Sequence, residues 1–260
     1  MESKKNSVYL IRHGESTSNE IRGDNKSKGI KDDSRFNKEL LDCGLTEAGI
    51  QQAIKIGEKL KDANITLVLV SPLRRALQTA YYAFKDHPSK LKLKVTLNGR
   101  EIMSSTCSIP DNVEILQKEF PSFDFSELEV LKDKKFWVLD TFEGEDREQI
   151  ESLIKDLPEG PEKYGKFTDI LVESCEKLYP KYLESPSHMV ARAMKVKKQL
   201  QEHSKLLRDS EKVAYVGHGA MNLSITATRF SKKGYAMDGI HLKNGEFIEF
   251  DIGEEVKDKQ

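Results

Sequence analysis

The chain has 260 residues, 37% of them hydrophobic, with 42 basic and 43 acidic side chains and a net charge of −1. That length supports one large or two small domains with a buried core; the near-balanced charge, without a long Lys/Arg run, argues against a nucleic-acid arm. Three scattered cysteines (Cys43, Cys107, Cys175) form neither a disulfide framework nor a zinc set, and no apolar run suits a signal peptide or a membrane span, so a cytoplasmic protein without membrane contact is expected.

Val8-Tyr-Leu-Ile11 is a short, near-continuous apolar run and reads as a buried parallel strand ending at Arg12-His13-Gly14. The polar stretch from Ile21 to Asp42 has no period and reads as a functional loop or lid. Thr46 is placed to cap a helix whose stripe is Ile50, Ala53, Ile54 and Leu60. Thr66 to Val70 follows as a second buried strand. Ser71-Pro72 then reads as an N-cap with proline in the first turn, before a helix burying Leu73, Ala76, Leu77, Ala80 and Phe84. Leu91 to Leu97 alternates as a third strand. Strands and helices in this order predict right-handed βαβ units.

The pattern dissolves after Glu101. Residues 102–190 carry 20 acidic against 10 basic side chains, and about 102–187 is expected to be an acidic insertion or cap. Phe120, Phe123, Phe125, Phe136 and Trp137 are predicted to form the insertion's own small core. The run Asp140, Glu143, Glu145, Asp146 and Glu148 lacks calcium-loop spacing and is predicted to be a solvated face. Val190, Ala193, Met194 and Leu200 then share a helical face. Strand Val213–Val216 runs into Gly217-His218-Gly219, followed by another helix, a last pair of short strands ending near Phe250, and a frayed tail from Glu254. The expected fold is α/β in a single domain, 1–260: a mostly parallel central sheet with helices on both faces and a large insertion after the third strand.

In open α/β sheets, ligands bind at the carboxyl ends of the strands. His13 lies just past the first strand, Arg75 in the helix after the second, and His218 just past Val213–Val216. Arg12 and Arg75 offer forked donors that suit phosphate oxygens, and helix N-termini after both histidines add backbone N–H groups. A neutral imidazole at His13 would be an in-line nucleophile for phosphorus, its pKa lowered by the cations that also neutralise the transition state. His87, His188, His203 and His241 lack partners at ligand spacing and read as surface or internally satisfied residues.

Arg12-His13-Gly14-Glu15-Ser16-Thr17-Ser18-Asn19 resembles the defining motif of the histidine phosphatase superfamily, in its phosphoglycerate-mutase-like branch. Leu45-Thr46-Glu47-Ala48-Gly49, Ser71 to Ala80 and Gly217-His218-Gly219 resemble its further motifs, in the right order. The resemblance implies that His13 becomes phosphohistidine, that Arg12, Arg75 and His218 bind the transferred phosphoryl group, and that Asn19 and Gly219 contact phosphate or substrate. It implies Glu101 as general acid, with Asp111 and Glu114 as alternatives because Leu97-Asn-Gly-Arg-Glu101 sets the carboxylate further along than many members do. No metal and no cofactor are expected, since arginines do the charge neutralisation. The expected activity is hydrolysis of a small-molecule or peptide phosphomonoester by a monomer or homodimer. The alternatives are a phosphoglycerate mutase-type phosphotransferase and a non-catalytic phospho-ligand scaffold. Arg147 is the only arginine between Ile102 and His188, which disfavours a mutase holding a second acidic group.

Overall fold

The computed structural model describes residues 7–30, 34–129, 137–155, 163–178, 183–208 and 210–253. Its elements are β1 (Ser7–Arg12), α1 (Thr17–Ser27), α2 (Glu47–Leu60), β2 (Ile65–Val70), α3 (Arg74–Phe84) and β3 (Lys92–Val95). They continue with α4 (Val113–Glu119), α5 (Ser126–Glu129), α6 (Gly144–Ile154), α7 (Lys163–Leu178), α8 (Pro186–Leu206), β4 (Lys212–Gly217), α9 (Gly219–Thr226) and β5 (Phe247–Asp251).

The strands form one sheet in the order β3-β2-β4-β1-β5, parallel except for β5. Alternation along each central strand divides the core between two faces. Ile11, Val68, Val70, Ala214 and Val216 pack under α2 and α3, through Ile56, Leu60, Ala76, Leu77 and Ala80. Val8, Leu10, Leu69, Val213 and Tyr215 pack on the other face under α8 and α9. The α/β architecture read from the sequence is therefore present.

Several expectations need correction. The stretch from Ile21 is not a loop throughout: α1 occupies Thr17–Ser27, capped by Ser16, and buries only Ser18, so there is no apolar stripe to betray it. Ser71 does not cap α3, which starts three residues later with Leu73 at the cap position and no side-chain cap bond. The third strand is only Lys92–Val95. Among the described residues, β5 is the one strand near the C-terminal end, with an isolated bridge between Phe230 and Ala236. The buried face of α8 centres on Met189, Arg192, Ala193, Val196 and Leu200, whereas Val190 and Met194 lie partly exposed beside it.

The aromatic residues after Glu101 do not make a separate core. Phe120, Phe123, Phe125 and Trp137 join the main core beneath α2 and α3, and Trp137 Nε1 donates to the Asp111 carbonyl. Phe136 and the tail from Glu254 lie outside the described residues. A separate, mostly aliphatic cluster forms among the residues after Glu101, built on Met103, Ile109, Val138, Ile150, Leu171 and Leu183 with Phe142, and Phe36 and Leu41 pack against it. Of the acidic run, Glu143 pairs with Lys195 and Asp146 accepts from Ser185; the Asp140 side chain lies outside the described residues.

The first turn of α2 presses against the segment after β1. A methyl group added at Gly49 would lie 2.0 Å from the Glu15 carbonyl oxygen, and one at Gly14 would lie 2.3 Å from that of Gly49. Both obstacles are backbone. Gly49→Ala is therefore expected to lower stability by about 1–3 kcal/mol, read as a lower urea midpoint with an unchanged m-value; an unchanged midpoint would show that the two backbones can part freely.

Candidate active site

The carboxyl ends of β1, β2 and β4 converge as the parallel sheet requires, bringing Arg12, His13, Arg75 and His218 into one buried cluster. His13 is 4% exposed, Arg75 3% and His218 0%. The two imidazoles face each other with centroids 5.1 Å apart.

The hydrogen bonds assign a proton. His13 Nδ1 lies 2.6 Å from the Gly14 carbonyl oxygen, which can only accept, so Nδ1 carries the hydrogen. The other nitrogen, Nε2, is left with its lone pair and receives Arg75 Nε–H at 3.3 Å. The Arg75 fork is itself aimed by the Cys107 carbonyl, which accepts from Nη1 at 2.5 Å. Arg12 is tethered by Nη1 to the Leu242 carbonyl at 2.8 Å, while its buried Nε has no partner. His218 Nε2 is 2.7 Å from Ser71 Oγ, and its Nδ1 is buried without a partner. An Arg12 Nε–H donor without a partner, beside an open ring nitrogen of His218 and the Arg75 guanidinium, suits an anion.

Glu101 completes the group from the segment after β3. Its carboxylate accepts from Ile102 N at 2.9 Å and from Ala220 N, in the first turn of α9, at 3.2 Å. Burial pushes its pKa above the ordinary 4.5, against the pull of those amides and of Arg75 and Arg12. Burial, then Arg75 and Arg12, holds His13 well below 6.5, and His218 is lowered by burial first as well. These opposite shifts have a chemical consequence. With ordinary values, a neutral histidine and a protonated glutamate coexist in at most about 1% of molecules. Bringing the two values together raises that share.

Asn19 sits at the edge of the cluster, with its carbonyl oxygen occupied by Ser16 N, Ser16 Oγ and Asn244 Nδ2. Only its amide nitrogen is left to meet a ligand. Gly219 opens α9 beside Arg12: a methyl group there would make an ordinary 3.4 Å contact with Arg12 Cζ, so its small size is not demanded by that neighbour. Asp111 is engaged by Arg74 at 3.0 Å, and Glu114 lies exposed in the first turn of α4. Neither is hydrogen-bonded to the cluster. Arg74 is not the plain surface residue its position beside Arg75 suggests, for its guanidinium bridges Asp42, Asp111 and Glu119. His188 is internally satisfied by Glu184 at 2.8 Å, as expected. Among the described residues, no group of three or more His, Cys, Asp or Glu side chains could hold a metal ion, and no helix is long and apolar enough to cross a membrane.

Two contributors escape the sequence reading. Ser71, read as a helix cap, supports His218. Asn244 donates to the His13 carbonyl at 3.2 Å and to Asn19. The available signal was the Asn244-Gly245 dipeptide, which marks a tight turn; Gly245 has φ +71°. Because β5 runs antiparallel to β1, the turn that precedes it falls beside His13.

Residues 8–107 match the family model of the histidine phosphatase superfamily (branch 1). A 2,3-bisphosphoglycerate-dependent phosphoglycerate mutase of Arabidopsis thaliana is 32% identical over 124 residues, covering 46% of this chain and 33% of that protein. A Schizosaccharomyces pombe protein named as a probable phosphatase is 28% identical over 124 residues, covering 46% of this chain and 51% of its own. The matches thus span about half or less of each relative. Among solved structures, a mycobacterial glucosyl-3-phosphoglycerate phosphatase bound to VO3 aligns over 93% of this chain and 89% of its own, at 17% identity and a TM-score of 0.47.

Proposed function

We propose that the chain is a phosphomonoester hydrolase that works through a phosphohistidine on His13, without a metal. The observation that carries this reading is the His13 tautomer: Gly14 holds the proton on Nδ1, leaving the Nε2 lone pair facing the guanidinium of Arg75. The Nε2 lone pair attacks phosphorus and forms a P–N bond as the ester P–O bond breaks. Glu101 gives its proton to the departing oxygen. Arg12, Arg75 and His218 hold the equatorial oxygens, and the charge of the two arginines takes the place of the cation used by other phosphoryl-transfer enzymes. Water then attacks phosphorus, Glu101 takes a proton from it, and the P–N electron pair returns to Nε2. Hydrolysis is favoured over phosphoglycerate mutation because Arg147, the only arginine from Ile102 to His188, is paired with Glu151 on α6. The substrate class is a small-molecule or peptide phosphomonoester.

The test is hydrolysis of nitrophenyl phosphate and an alkyl phosphate between pH 5 and 8, in EDTA, alongside an assay interconverting phosphoglycerates. Turnover is expected to survive EDTA, and kcat/KM to fall as pH rises through the elevated Glu101 pKa. His13, held low, stays neutral on the acid side. Glu101→Ala is expected to damage the alkyl ester far more than the nitrophenyl ester, which needs little help in leaving. Equal losses on both esters would remove the acid role from Glu101. Phosphoglycerate interconversion outpacing hydrolysis would make the protein a mutase.

A further inference from the structure

Residues 100–102 adopt no regular secondary structure, yet the four consecutive carbonyls from Asn98 to Glu101 all receive side-chain donors. Arg192 Nη1 donates to Asn98 O at 2.7 Å and Arg100 O at 2.8 Å, and its Nη2 reaches Glu101 O at 3.4 Å. Tyr215 Oη donates to Gly99 O at 2.8 Å, and Arg100 Nη1 adds a second donor to Glu101 O at 3.1 Å. The stretch carrying Glu101 is thus held mainly by two arginines, where a strand would have used a neighbouring strand.

One carboxylate organises both arginines. Glu184 Oε1 accepts from Arg192 Nε at 2.7 Å, Arg100 Nη2 at 3.2 Å and His188 Nδ1 at 2.8 Å. Its Oε2 accepts from Arg100 Nη1 at 2.6 Å and from Met103 N at 2.9 Å, just beyond Glu101. Arg100 and Glu184 are wholly buried and Arg192 is 1% exposed. The Phe142 ring lies under the Arg100 guanidinium at 4.5 Å and stacks on His188 at 8°. Buried ion clusters seldom outdo apolar packing in stability. What this one supplies is a set of directed donors on the backbone of the proposed acid.

We propose that Glu184 is a positioning residue: by fixing Arg100 and Arg192 it locks residues 98–103 and so aims the Glu101 carboxyl at the leaving oxygen. The inference rests on Glu101 being the acid. A displacement of about 1 Å at a reacting group can cost on the order of 100-fold, and an acid out of hydrogen-bond reach of the leaving oxygen gives little help.

The experiment compares kcat/KM for an alkyl phosphate and for nitrophenyl phosphate in wild type, Glu101→Gln, Glu184→Gln and Arg192→Lys. The ratio of the two is independent of how much of the preparation is folded, so a purely structural role leaves it unmoved. Glu184→Gln is expected to lower the ratio about 10-fold or more, in the same direction as Glu101→Gln. Should Glu184→Gln not fold, Arg192→Lys, which keeps the charge but loses the fork, decides in its place. An unchanged ratio in the folded variants, with a shift in Glu101→Gln, would overturn the positioning role and leave the acid assignment standing. No shift in Glu101→Gln would overturn both.

Discussion

His13→Ala is expected to lose about four orders of magnitude or more in kcat on nitrophenyl phosphate, roughly 5.5 kcal/mol of transition-state stabilisation. The expectation is this large because His13 Nε2 is the ring nitrogen whose hydrogen bonds fix a lone pair toward Arg75. His218 Nε2 is taken by Ser71, and the arginines are donors only. Rapid quenching of wild type in alkali should trap phosphate on the protein, acid-labile as a phosphoramidate is, and His13→Ala should trap none. A variant keeping a tenth of the activity would mean that water attacks phosphorus directly, with His13 reduced to a binding group. Unfolding curves of the two proteins should nearly coincide, so the loss cannot be assigned to misfolding.

The second large effect separates adjacent arginines. Arg75 is buried, with Nε on His13 and Nη1 on the Cys107 carbonyl, so its planar fork is fixed before substrate arrives. Lysine keeps the charge but cannot hold both contacts and still reach a phosphoryl oxygen. Arg75→Lys is expected to lower kcat/KM about 100- to 1,000-fold, with little change in thermal stability. Arg74, one residue earlier, spends its guanidinium on Asp42, Asp111 and Glu119. Arg74→Ala should therefore lower the unfolding midpoint and leave kcat almost untouched. Reversed outcomes would mean that the phosphoryl group is held by the other arginine.

The three central strands were legible because they are mostly buried on both faces and read as apolar runs between helical stripes. The cluster was legible because three strand ends in a parallel sheet converge whatever lies between them, and the motif residues sit at those ends. Local packing hid the rest. α1 buries a single serine, so hydrophobic periodicity could not reveal it. Ser71 has the chemistry of a helix cap, and only the position of His218, 147 residues away, diverts its hydroxyl. The aromatic residues of the insertion announced a core, but nothing in their spacing said they would join the main one. The Glu184 cluster escaped too, because Arg100, Glu184 and Arg192 look like ordinary surface charges until long-range packing buries them.

The placing of β1 has a consequence for how the protein is made. β1 pairs with β4 and β5, and Val8 faces Val213 in the sheet, so a newly made β1 waits more than 200 residues for either neighbour. At the usual pace of roughly 5–20 residues per second, that wait is about 10–40 s. Throughout it an apolar strand with two open edges is presented to the cell, a demand on chaperones that a hairpin-built sheet would not impose. The nascent chain is also inactive for the same interval, since His218 and the Leu242 and Asn244 contacts to Arg12 and His13 come last. Activity should therefore appear abruptly, once the segment through Asn244 has left the ribosome, and a chain stalled before that point should hydrolyse nothing.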